Sequence, residues 1–282
     1  MPNLFSPYYI YPHGGKIKEH FKDYFDASFV AFLPFFQVDS HQKAKNFSRS
    51  GIISFEEAQE EIPELKNISK SNATIYASNM DYPEDNAIYE NATVITWSEV
   101  VRKSEMENLS DLNKALRTSI GALRKIFQRH DLTEKLDNYT TKQHIWHPNE
   151  GCYDIISKSR IYKTFRLLQK NEIMLIDEHF DKVITIDIEK LNEREFCDTV
   201  DFRILYLYST DKEILFTIDW DSFFFIIATN NKSMKEIIAA DLFEGFLCDS
   251  KTTHDWDYEE GEIEAYLKLE ESNKNTGNSS IQ

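Results

Sequence analysis

The sequence predicts an α+β fold, with a mixed or mainly antiparallel sheet and flanking helices. Three observations lead there. Aromatic residues are abundant, with 20 Phe and 14 Tyr in 282 residues, and rings that bury roughly 150–250 Å² each supply a substantial core. The second half strings short apolar runs together through hairpin-length loops, which favours antiparallel or mixed pairing over a doubly wound sheet. Helical periodicity is confined to separate stretches, chiefly 111–130 and 154–170.

The chain begins irregularly, punctuated by Pro7, Pro12, Gly14 and Gly15. Phe29-Val30-Ala31-Phe32-Leu33 reads as a buried strand ended by Pro34, because the residue before a proline favours extended backbone. Residues 37–50 are polar and read as a loop. Ser54-Phe55-Glu56-Glu57 fits a capping box that opens a short helix stopping near Pro63. Segments 73–78 and 92–97 are rich in β-formers, and Ser98 is placed to cap a short helix over 99–104.

In the helix over 111–130, Ser110 takes the cap position, and Leu112, Ala115, Leu116, Leu123 and Phe127 recur near a 3.6-residue period. Gly121 inside it costs about 1 kcal/mol against alanine, which points to close packing there. Residues 138–151 are polar and read as a linker, where a domain seam would fall. After the helix over 154–170 come strands at 173–176 and 183–188 and a helical turn within 191–199. Runs 202–208 and 214–219 flank Ser209-Thr210-Asp211-Lys212-Glu213 as a hairpin. Residues 222–229 read as a central strand, 232–240 as a helix and 242–248 as a short strand. The expected organisation is one globular unit over 1–256, followed by an acidic, largely flexible tail over 257–282.

The formal net charge is −16. Residues 241–282 hold 11 Asp/Glu against 3 Lys, so half of that charge lies there. Such a field repels nucleic-acid backbones, which require a cationic face. Arg117, Arg124, Lys125 and Arg129 on the 111–130 helix read as a solvated face. Only 8 glycines occur, with no phosphate-cradling G-x-G-x-x-G or G-x-x-x-x-G-K-[ST], and no motif names a cofactor. Cys152, Cys197 and Cys248 are scattered and odd in number, which predicts buried free thiols in a reducing, cytoplasmic setting. No stretch reads as a signal peptide or membrane span, and the most apolar stretch, 214–228, is broken by Asp219 and Asp221.

Four groups of residues are candidates for chemistry. Asp219-Trp220-Asp221, read as strand, puts both carboxylates on one face and the indole on the other. Paired carboxylates hold divalent cations or move protons, and they also blunt strand edges. A second group gathers Glu244, Asp249, His254 and Trp256. His144, His147 and Glu150 form a weak metal candidate, weakened further by Pro148, which argues against a helix there. Cys248 with His254 imitates a thiol–imidazole pair, although a buried structural cysteine is far commoner than a nucleophile.

Four blocks carry a resemblance: Leu116-Arg117-Thr118-Ser119-Ile120-Gly121-Ala122-Leu123, His147-Pro148-Asn149-Glu150-Gly151, Asp219-Trp220-Asp221-Ser222-Phe223-Phe224, and Glu244-Gly245-Phe246-Leu247-Cys248-Asp249 with Thr252, Thr253 and Trp256. In this order they resemble an uncharacterised bacterial domain-of-unknown-function family, found mainly in spore-forming Gram-positive bacteria. The likeness spans about residue 20 to Trp256. It implies that the W-D-S-x-F and E-G-F-x-C-D blocks belong to one recurring unit, and it carries no activity. It also implies histidine in relatives at the position of Asp219, and often at that of Phe224, which argues against a family-wide metal or acid–base role for the residues found here.

With catalytic signatures missing, the expected role is a non-enzymatic protein-interaction or regulatory, immunity-like factor. Its partner would be another protein, met through the acidic aromatic C-terminal region. No nucleic acid and no membrane are expected. The alternative is a divalent-metal-dependent hydrolase built on carboxylates around Asp219 and Asp221.

Overall fold

The apolar runs of the second half become the strands of a seven-stranded sheet. In this computed structural model the described residues are 6, 10–41, 43, 44, 47, 48, 50–53, 55, 58, 59, 75–259 and 261–269. The chain divides into two units: residues 1–34 with 149–282, and residues 35–148.

The first unit opens with α1 (Ile17–Phe21) and β1 (Ala27–Phe32). The second unit then holds β2 (Phe35–Gln37), β3 (Ser50–Ile53), β4 (Ile75–Ser78), α2 (Asp85–Asn91), β5 (Thr93–Ile95), α3 (Trp97–Lys103), α4 (Leu109–Ser119) and α5 (His130–Gln143). The first unit resumes with α6 (Ile155–Leu167), β6 (Glu172–Asp177), β7 (Val183–Asp187), α7 (Glu193–Thr199), β8 (Ile204–Ser209), β9 (Ile214–Ile218), β10 (Phe224–Thr229), α8 (Asn231–Ala239) and β11 (Gly245–Leu247). Residues 262–269 are helical. No described helix is long and apolar enough to cross a membrane.

In the first unit the strand order is β11-β1-β10-β9-β8-β6-β7, and every pairing is antiparallel. The class is therefore α+β with a mainly antiparallel sheet. β1, β8, β9 and β10 are buried at every position. That is why they read as continuous apolar runs: both faces are covered, so no polar alternation survives. On one face Phe216 meets Phe165 at 5.2 Å, Phe225 at 6.3 Å and Phe243 at 6.3 Å between ring centroids. On the other, Trp256 meets Phe32, Phe224 and Phe246 at 5.6, 5.8 and 5.1 Å. Such ring pairs add about 0.5–1.5 kcal/mol each beyond area burial. The edge strand β7 is only partly buried.

The helix starts follow local chemistry. Asp154 caps α6, accepting from the N–H groups of Ile156 and Ser157. Asn192 and Glu195 form a capping box at α7, and Asn230 caps α8 through the Ser233 N–H. α3 begins at Trp97, so its cap is Thr96, not Ser98: the Thr96 hydroxyl accepts from the Glu99 N–H at 3.1 Å.

In the second unit, β2 pairs with β5 and β3 with β4. Trp97, Trp146, Phe35, Phe36 and Phe47 are fully buried there. The expected helix over 111–130 is two helices. Gly121 stands at φ 70° and ends α4. Its N–H donates to the Thr118 carbonyl, and the Ala122 N–H to the Arg117 carbonyl, each at 3.0 Å, which is the Schellman arrangement. Gly121 is thus a stop signal, not a packing contact inside a continuous helix. The stretch read as linker from 138 is helical through Gln143, because Leu132, Leu136 and Thr140 give α5 a buried stripe. Ser54, Glu56 and Glu57 of the expected capping box lie outside the described residues, as do positions 73 and 74 of the strand expected at 73–78.

Candidate functional site

β9 ends at Ile218 and β10 begins at Phe224, so Asp219-Trp220-Asp221 is not strand. The Ser222 N–H donates to the Asp219 carbonyl at 3.2 Å, closing a four-residue turn with Trp220 and Asp221 at its centre. The physical reason is desolvation. Two carboxylates continuing into so apolar a sheet would be buried unpaired, at a cost of several kcal/mol; in the turn Asp221 is exposed. Trp220 is exposed too, at 58%.

This turn is held from one side. The Gly151 N–H donates to the Ser222 carbonyl at 2.9 Å. Gly151 stands at φ 65°, and a Cβ there would overlap the Trp220 carbonyl. Only glycine satisfies both the left-handed backbone and the close approach. Glu150, next to it, is half-buried.

From the other side come two histidines. His13 Nδ1 and His254 Nε2 each stand 3.9 Å from Asp219 Oδ2, whose side chain is 28% exposed. The Tyr11 hydroxyl lies 3.0 Å from His254 Nδ1. Burial pushes the nearby Tyr206 phenol up to about 12, with the Asp219 charge adding to the effect. The N-terminal segment reaches this place because the Ile17 N–H donates to the Thr252 carbonyl at 2.9 Å and Lys16 bridges Thr253. Tyr11 and His13 were not legible as site residues. No local motif marks them, and they meet Asp219 and His254 only through this long-range pairing.

His254 joins the turn to a groove, since its neighbours Thr253 and Asp255 line a cavity of about 630 Å³. Phe246, Trp256 and Tyr258 form its aromatic wall, and Asp255, Glu259 and Glu264 supply acidic groups. Lys16 and Lys251 are its cations. The Trp256 indole N–H is buried without a partner among the described residues. Asp249 also lines the groove, but its carboxylate is locked into its own loop. It accepts from the Lys251 and Thr252 N–H groups at 2.8 Å each and from the Thr252 hydroxyl at 2.9 Å, and these bonds hold it below the usual carboxylate range.

The other candidates are placed elsewhere. Glu244 stands just before β11, where its charge acts on Arg160. Cys248 is buried, and burial first, then the Asp249 charge, pushes its thiol up to about 12, so it supplies no thiolate to His254. His144 takes a left-handed C-cap at the end of α5 and lays its ring 5.5 Å from Phe47. His147 is 3% exposed, its Nε2 lies 2.8 Å from the Thr140 hydroxyl, and burial pushes it down to about 4. Among the described residues no group of three or more His, Cys, Asp or Glu could hold a metal ion.

Residues 13–258 match a family described as "Protein of unknown function (DUF2711)". The chain is 27% identical over 175 residues to the "Uncharacterized protein YwbB" of Bacillus subtilis (strain 168), which covers 62% of this chain and 77% of that protein. No solved structure matches the chain.

Proposed function

Since the chain belongs to the DUF2711 family, which is described by no activity, we propose a function from its own surface: a non-enzymatic regulatory factor that binds a basic protein partner. The observation that carries this reading is the groove of residues 246–264, in which an aromatic wall and three carboxylates stand together beside the terminal strand of the sheet. Aromatic anchors with a charged rim are the composition of protein-recognition surfaces. The overall charge of −16 steers a cationic partner toward the chain.

The test is saturable binding of a short labelled lysine- and arginine-rich peptide, followed by fluorescence anisotropy at moderate salt. The double charge reversal Glu259→Lys with Glu264→Lys is expected to weaken binding about ten-fold, a change typical of rim electrostatics in a network. The double reversal Glu107→Lys with Glu134→Lys, which carries the same formal change outside the groove at two exposed positions, is expected to leave it nearly intact. Equal losses in the two variants would reduce the effect to net charge and remove the reading.

A second reading, a divalent-metal-dependent hydrolase, has one observation in its favour: Asp219 is approached by two imidazoles while Asp221 is open to solvent. A rise in melting temperature with magnesium, manganese, calcium or zinc would support it. No shift with any of the four would remove it.

A further inference from the structure

We infer that the Asp219–Trp220–Asp221 turn is the seat for a guanidinium group, an arginine side chain of the basic partner; this rests on the basic-partner reading above. The first ground is Trp220 itself. Hairpin turns favour Asn, Asp and Gly at their centres, yet this one carries an indole 58% exposed. The turn that presents it is fixed: Gly151 is hydrogen-bonded to Ser222 and packed on the Trp220 carbonyl, and Phe223 and Phe224 just beyond are buried. An exposed aromatic on a rigid support loses little entropy on binding, which is how interface anchors work.

The second ground is charge. Asp221 makes no hydrogen bond or ion pair among the described residues, and neither does the Glu150 side chain, one residue before the glycine that touches the turn. Asp219 turns Oδ2 toward the two histidines at 3.9 Å from each, beyond hydrogen-bond distance. The indole is thus bracketed in sequence by carboxylates with free acceptor capacity.

The geometry of the cation follows from that pairing. A planar guanidinium stacks on the indole face and still directs its edge N–H groups at flanking carboxylates. An ammonium has no plane to stack and is more strongly hydrated, so it gains less from the same surface. The seat therefore discriminates arginine from lysine, which the groove's carboxylates alone would not.

The experiment compares three labelled peptides of one sequence carrying arginine, lysine or the neutral citrulline. They are titrated into the wild type, Trp220→Ala, Trp220→Tyr and the Glu259→Lys/Glu264→Lys double variant, with folding of each variant checked by circular dichroism. The arginine peptide is expected to bind the wild type about ten-fold more tightly than the lysine peptide, a cation–π contribution of ordinary size. Trp220→Ala is expected to erase that preference and Trp220→Tyr to keep most of it. Arginine and lysine peptides binding the wild type alike, or a preference that survives Trp220→Ala, overturns the seat while leaving the basic-partner reading in place. Indifference of all charged peptides to the double reversal overturns the reading instead, and no binding of either charged peptide overturns both.

Discussion

Gly151 and Trp220 are in backbone contact: the Gly151 α-carbon lies so close to the Trp220 carbonyl that no Cβ fits between them. The loop of residues 149–152 therefore acts as a template for the β9–β10 turn. Gly151→Ala keeps neither feature without cost: in the left-handed backbone its Cβ would overlap the Trp220 carbonyl, so the turn or the 149–152 loop must move. The expected cost is about 1–3 kcal/mol, measured as a lower midpoint in urea unfolding. A variant as stable as the wild type would mean that the turn is not held by this contact.

His147 gives the chain a pH dependence of known sign. An unfolded histidine titrates near 6.5, whereas burial pushes the folded one down to about 4. The folded value lies below the unfolded one, so this stability is fully present above about 6.5 and is lost as pH falls toward 4, by up to about 3 kcal/mol. Asp137, 4.0 Å from His147 Nε2, is raised by burial to about 6, and its sign is opposite: its stability is present below about 3.9 and lost as pH rises toward 6. With its side chain 51% exposed, solvent screening makes that contribution the smaller one. His147→Gln preserves a donor for Thr140 and is expected to flatten the fall in melting temperature between pH 6.5 and 4. An unchanged slope would place the titration elsewhere.

The three thiols test the interior. Cys152, Cys197 and Cys248 are free and buried, and burial pushes Cys197 and Cys248 up to about 12. A thiol reagent such as DTNB is expected to leave all three unmodified in the native protein and to label them together on unfolding. Fast labelling of a native thiol would contradict its burial.

Gly121 tests the break between α4 and α5. At φ 70°, alanine costs about 1–2 kcal/mol, whereas inside a continuous helix alanine would stabilise by about 1 kcal/mol. The sign of the change in unfolding free energy for Gly121→Ala therefore separates the two arrangements.

The sheet was legible because its strands are buried on both faces, so burial wrote continuous apolar runs into the sequence at 204–209, 214–218 and 224–229. Helix starts were legible where a side chain caps them, as at Asp154 and Asn230. The division of the 111–130 stretch was not, because one glycine carries a different meaning in a helix interior and at its end. Within the candidate site, Asp219, Trp220, Asp221, His254 and Trp256 were readable as residue types, but Tyr11 and His13 were not. The place of His13 beside Asp219 and of Tyr11 against His254 comes from the pairing of Lys16 with Thr253, a long-range contact with no local signature. The turn itself was taken for strand because alternation of Asp and Trp looks the same in both.

The surface proposed to receive a basic partner runs from the Trp220 turn through His254 to the Trp256 groove. Hydrogen exchange measured by mass spectrometry, with and without the arginine-bearing peptide, tests it most directly. Protection is predicted within residues 13–16, 219–222 and 249–264, leaving α5 unchanged. Protection confined to other segments, or none at saturating peptide, would mean that this surface does not receive the peptide.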